Sequence, residues 1–336
     1  RRQRQMCIRD REIYVAIQVI SNDENYLFID DISLVNNTSA NQSISSTTTG
    51  GKWSESTTWI GGIVPTGTND VIIQGPVIVD VDAACNNLLV ESGVTLENYS
   101  YFDRTLVVNG SLTNKGLVRD GATYHTFTLD IRGNITNNGQ WENSYTICSG
   151  ASDQYLAMDP NATFSTGRLE NTDSASAVIA GSDLIFHNGF TIDLGDNYSQ
   201  NGQLILPSNS GFSIILDSAF IEFSWIRGNG NKLTLQNESA LNSQVHIQDA
   251  VLTGIVNIDG YFVTFEGNSV VLEDTLQNAS NTGRDLVIKG LFTNRGVIRD
   301  NPVGYPSYLW IDITGDIVNS GQWTNSKTTL NGTLNQ

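Results

Sequence analysis

Apolar and polar positions alternate along most of this chain in short bursts. Val71–Ile73, Val77–Val79, Leu88–Val90, Val94–Leu96, Leu106–Val108 and Leu129–Ile131 are each followed within a few residues by Gly, Asn or Ser. A period of two with β-branched residues predicts short strands, and the Asn-x-Gly punctuation predicts tight corners with one residue at positive φ. Residues 146–285 keep the same rhythm less regularly, as in Leu184–Phe186, Phe212–Leu216, Leu233–Leu235 and Val270–Leu272. No long helical periodicity interrupts it.

The pattern also repeats on a larger scale. Residues 106–120 read LVVNGSLTNKGLVRD and residues 286–300 read LVIKGLFTNRGVIRD. Each leads into a second matching line, LDIRGNITNNGQWENS from Leu129 and IDITGDIVNSGQWTNS from Ile311. Within a copy the apolar-x-apolar-x-Gly line returns after about 23 residues, which is one coil of a parallel β-solenoid. A lone coil cannot bury its apolar face, so coils must stack about 4.8 Å apart. The fold class expected is therefore all-β, a parallel β-helix of around twelve coils and roughly 60 Å. Asn114, Asn137, Asn294 and Asn319 are expected to stack coil on coil as an amide ladder.

Composition narrows the partners. The chain has 336 residues, 35 acidic against 18 basic, and a net charge of −17. So acidic a surface repels phosphates, which argues against nucleic acid, and no apolar run reaches membrane-spanning length, which argues against insertion. Cys85 and Cys148 are read as buried free thiols rather than a pair.

Three segments precede the coils. Met6–Arg11 (MCIRDR) resembles a translated sequencing-library adapter, so residues 1–11 are set aside as an artefact. Residues 12–35 are read as two strands around the turn Ser21–Asn25. The line Tyr26–Leu34, after Tyr14–Ile17, resembles the last hairpin of the jelly-roll domains of bacterial surface proteins, the choice-of-anchor and MAM-like group. That resemblance implies a truncated domain and a calcium role for Asp30 and Asp31. Residues 36–50 (NNTSANQSISSTTTG) are read as a polar linker, with the β-helix over 51–336.

From Gly51, Trp53-Ser54, Thr58-Trp59, Gly61-Gly62, Val64-Pro65 and Asp70–Ile73 are similar to the opening of secreted right-handed β-helix proteins of the pectin-lyase-like kind. The resemblance implies a right-handed coil and an extracellular or bacterial cell-surface location. The adapter-like start and a coil line that breaks off at Gln336 (Leu330–Leu334) lead to the expectation of a parent chain that continues beyond both ends. Trp53 and Trp59 are expected to close the first coil rather than to stack on sugars.

Such β-helices include polysaccharide lyases and hydrolases, so paired carboxylates or a base beside a cation were sought. Asn171-Thr172-Asp173 matches one element of the polygalacturonase set, but its Gly-His-Gly and Arg-Ile-Lys elements are absent. His125, His187 and His246 lack metal-ligand spacing. The stronger candidate is the repeated Arg-Asp with its loop: Arg119, Asp120 and Tyr124, then Arg299, Asp300, Tyr305 and Tyr308. Rings beside polar groups suit a sugar, while an Arg–Asp pair tying down the loop base is the structural alternative. The expectation is a non-catalytic adhesive rod that binds extracellular polysaccharide or surface glycan. A polysaccharide lyase or glycoside hydrolase is the alternative; no cofactor is expected beyond calcium.

Overall fold

The computed structural model describes residues 43–99, 101–122, 124–172, 176–195, 202–302 and 307–332. The adapter-like segment 1–11, the hairpin 12–35, Asp30 and Asp31 lie outside the described residues.

The chain winds as a parallel β-solenoid with three faces per turn. The first face stacks fourteen strands, from Ser43–Ser45 to Lys327–Leu330. The second runs from Gly51–Lys52 to Ile317–Asn319, and the third from Ala83–Cys85 to Gln322–Trp323. Every pairing between these strands is parallel, which is the stacking the alternating bursts require; Val71, for example, lies beside Leu88 and Leu112 lies beside Ile135. The second and third faces join through one continuous strand, Val251–Ile258, which turns the corner at Gly254 with φ +76°.

Inward positions of all three faces are apolar and fill a single core, from Ile44 and Trp53 to Ile311 and Ile313. Trp141, Phe164, Phe186 and Phe190 stack inside it, with ring centroids 5.1 to 5.6 Å apart. At the first turn Trp53 and Trp59 are buried and meet edge to face at 4.9 Å, and the Trp59 indole donates to the Trp53 carbonyl at 2.8 Å. They close the core end, as expected, and offer no ring to a sugar.

The solenoid begins earlier than Gly51. Ser43–Ser45 pairs with Asp70–Ile72, and Ile44 is buried beside Val71. Buried Ser46 accepts from the backbone of Gln74 and Gly75. Residues 43–50 therefore belong to the first coil rather than to a linker, because one apolar side chain in register suffices to seat a strand. Residues 36–42 lie outside the described residues.

The amide ladder is present. Asn114 donates to Asn137 at 2.9 Å, and Asn294 donates to Asn319 at 2.8 Å. Asn114, Asn137 and Asn294 also each accept from the Gly two residues on. The glycines differ from expectation. None of Gly116, Gly139, Gly296 and Gly321 takes positive φ. They are needed because turns touch: a Cβ on Gly139 would lie 2.2 Å from the Gly116 carbonyl oxygen, and one on Gly321 would lie 2.1 Å from that of Gly296. Positive φ falls instead on other glycines, such as Gly93, Gly189 and Gly254, and on non-glycine corners between the two copies, among them Asn188, Ser218, Asn237 and Phe262.

The two copies do not occupy equivalent faces. Arg104–Val108, Leu112–Asn114 and Leu117–Arg119 lie on the third, first and second faces. Their counterparts Arg284–Ile288, Phe292–Asn294 and Val297–Arg299 lie on the first, second and third. The second copy is thus rotated by one face. Turns vary from 17 residues, Val71 to Leu88, to 30, Leu184 to Ile214, so the intervening chain does not close on a whole number of turns.

Candidate functional site

The repeated Arg-Asp pairs are built into the coil. Asp120 stands where the second face turns into the third. Its carboxylate accepts from the Phe127 N–H at 2.7 Å, the Ser144 N–H at 3.1 Å and the Ser144 hydroxyl. Asp300 does the same one face on, accepting from the Leu309 N–H at 2.7 Å and the Ser326 hydroxyl. Each Asp closes its loop and ties it to the next turn. The arginines turn elsewhere: Arg119 pairs with Glu97 at 2.8 Å, and Arg299 donates to Gln277 at 3.0 and 2.8 Å. The expected Arg–Asp ion pair is therefore corrected. Neighbours on a strand point to opposite sides, and the Asp is claimed by orphaned backbone N–H groups.

The rest of the copy is equally occupied. The Trp141 indole donates to Thr146 at 2.8 Å and Trp323 to Thr328 at 2.9 Å. Asn143 donates to the Phe127 carbonyl at 3.0 Å, and Asn325 to that of Leu309 at 2.8 Å. What the loops leave to solvent is Tyr124, 91% exposed, and Tyr308, 39% exposed; Tyr305 lies outside the described residues. The loops leave different edges of the prism and are eight strand steps apart on the second face, roughly 40 Å. The structure does not bring them together.

What it does bring together lies on the outward side of the first face, toward the later turns. Register stacks His246, Thr264, Val287, Asp312 and Thr329 in one column. Asp285, Trp310 and Lys327 form a second, with Phe262 at its head, and Arg227, Gln248 and Glu266 a third. Phe262 is 68% exposed and Trp310 40%. The Lys327 ammonium lies 6.0 Å from the Trp310 ring centre, and the Arg284 guanidinium lies 4.4 Å over Tyr261. Two hollows, of about 380 and 370 Å³, share Phe262 and Val287 and so run on from His246 and Lys289 to Trp310 and Lys327.

At the upper end of this strip Trp225 and His246 stack at 4.6 Å with 12° between their planes. His246 Nδ1 lies 3.5 Å from the Glu266 carboxylate, an ion-pair distance too long for a good hydrogen bond. Burial lowers the pKa of His246 below the ordinary imidazole value; Glu266 opposes the shift and Lys289 adds to it. Sequence reading passed over this strip. Its local signal was legible, since Leu309-Trp310-Ile311-Asp312-Ile313 points 310 and 312 outward, but the partners come from strands about 20 residues apart.

A second polar group sits on the third face. Glu170, Asp193 and Glu222 stack in register, and Arg168 bonds Asp193 at 2.6 Å and Glu222 at 2.8 Å, with Glu170 at 4.0 Å. Burial pushes the Asp193 carboxyl up to about 6; Arg168 opposes, and Glu222 and Glu170 add to it. The bridging guanidinium holds the group closed rather than open to a ligand. Among the described residues no three His, Cys, Asp or Glu are gathered to hold a metal, and no helix is long and apolar enough to cross a membrane.

Comparison of the chain with protein-family models, curated proteins and solved structures finds no match, so its reading rests on the geometry above.

Proposed function

We propose that this chain is a non-catalytic rod of a secreted bacterial surface protein, with a glycan-adhesive strip on its first face. One observation carries the reading. The residues repeated between the two copies are consumed in joining turn to turn, while the outward rings Phe262 and Trp310 stand free beside Asp285, Asp312 and Lys327. Flat rings with flanking hydrogen-bonding groups hold sugars by stacking and by their hydroxyls. The display loops at Tyr124 and Tyr308 are secondary contacts on this reading.

A polysaccharide-active enzyme is the second reading. Asp193 is the group in its favour, a carboxyl that burial raises to about 6 beside Glu170 and Glu222; catalysis there requires Arg168 to release it to the substrate.

Incubating the purified chain with acidic and neutral polysaccharides, with and without calcium, and then separating by size tests both. Intact polysaccharide that co-elutes with the protein, and no longer does so with Trp310→Ala, supports the strip. Co-elution indifferent to Trp310→Ala refutes it. Shortened polysaccharide refutes the non-catalytic reading.

A further inference from the structure

We infer that the strip takes an anionic saccharide chain lying along the rod axis and gripped through its carboxylate or sulfate groups. This rests on the glycan-binding reading and adds the charge of the ligand.

The first observation is a concentration of unmet hydrogen-bonding capacity. Trp225 Nε1, Arg227 Nε, His246 Nδ1 and Glu266 Oε1 are all buried without a hydrogen-bond partner, on three consecutive strands of one face; His246 Nδ1 and Glu266 Oε1 face each other as a long ion pair at 3.5 Å, which leaves Trp225 Nε1 and Arg227 Nε unmet. Among the described residues the only other such atom is Asp193 Oδ1. Buried polar groups are almost always satisfied, so two unmet donors beside a long ion pair mark a place where a polar ligand completes the count. Both unmet atoms are N–H donors, which favours a ligand rich in acceptor oxygens.

The second observation concerns charge. Lys52, Lys115, Arg119, Arg168, Arg284 and Arg295 each pair with a carboxylate. Four cations show neither an ion pair nor a side-chain hydrogen bond among the described residues: Lys232 stands on the second face, and Arg227, Lys289 and Lys327 all lie on this strip. Elsewhere Arg104, Arg132 and Arg299, which also lack a carboxylate, spend their donors on backbone or amide oxygens. The unspent charge of the three strip cations fits a ligand that brings its own anions. The carboxylates between them, Glu266, Asp285 and Asp312, accept from sugar hydroxyls.

The third is spacing. Arg227, Lys289 and Lys327 stand on the first, fourth and sixth of six consecutive rungs of the first face, steps of about 14 and 10 Å, and the two hollows are continuous through Phe262 and Val287. A polymer parallel to the axis meets a new rung about every 4.8 Å, so one chain can engage Arg227, Lys289 and Lys327 while its rings cover Phe262 and Trp310.

The test is titration calorimetry of the whole chain with polygalacturonate, dextran sulfate and uncharged dextran. The K289Q/K327Q double variant is run beside Lys232→Gln, a cation on the second face, and circular dichroism checks the fold of each. Binding of either anionic polymer at least tenfold tighter than dextran is expected, weakened at least tenfold by the double variant and untouched by Lys232→Gln. Polygalacturonate alone would mark carboxylate as the recognised group and dextran sulfate alone sulfate; either supports the inference. Dextran bound as tightly as the anionic polymers overturns the charge inference and leaves glycan binding standing. Anionic binding indifferent to K289Q/K327Q overturns the site. No binding to any polymer overturns both readings.

Discussion

Replacing Asp120 by Ala separates a structural carboxylate from a ligand-binding one. The side chain accepts three hydrogen bonds, from the Phe127 and Ser144 backbones and the Ser144 hydroxyl. Phe127 is fully buried, so its N–H has little access to water once the carboxylate is gone. At about 1 kcal/mol net for each bond, and more for the buried donor left unpaired, Asp120→Ala costs roughly 3 to 4 kcal/mol. Asp120→Asn keeps an acceptor oxygen and costs about 1 kcal/mol. Arg119→Ala breaks only a half-exposed pair with Glu97 and costs less than about 1 kcal/mol. Urea unfolding followed by tryptophan fluorescence orders the three variants, and amide exchange at Phe127 and Ser144 localises the loss. Because a solenoid unfolds by neighbouring turns, exchange is the sharper readout. An Ala variant with unchanged midpoint and unchanged protection at those two amides would refute the structural role.

Three further outcomes follow from the same geometry. The Asp193 carboxyl is raised from 3.8 to about 6, so the folded chain binds the extra proton first. Its contribution to stability is present below pH 3.8 and lost as pH rises through 6, by up to about 3 kcal/mol, so this group adds a gain on acidification from pH 7 to 4, against which the lowered His246, Asp70 and Asp103 act. That gain shrinks in Asp193→Asn, as denaturant midpoints across the range will show. Gly133→Ala places a Cβ 2.6 Å from the Gly110 carbonyl in the turn before it, and lowers stability by about 1 to 3 kcal/mol in thermal melts. Cys85 and Cys148 are buried, and burial pushes both thiols up to about 12; a thiol reagent labels them only after denaturant is added.

The solenoid itself was legible in the chain. Alternating apolar residues and a 23-residue return demand stacked parallel strands, because no coil can bury its apolar side alone. The amide ladder was legible for the same reason: Asn at equal phase in successive coils has its counterpart as nearest neighbour. The seat of Ile44 was not, since a single apolar residue in a polar run carries no period. Nor was the use of the corner glycines, where the constraint is contact between turns and not φ.

Local pattern thus determined the rung: which side chains face the core, where corners fall, and that copies of one unit pile up. Phase was decided only in three dimensions. Turn length drifts between 17 and 30 residues, so the second copy lands one face around from the first, and the loops around Tyr124 and Tyr308 part. The same stacking draws Trp225, His246, Glu266, Lys289, Trp310 and Lys327 into one strip from strands distant in sequence. Outward positions need no partner for the fold to close, so nothing in the local pattern marks which of them will meet.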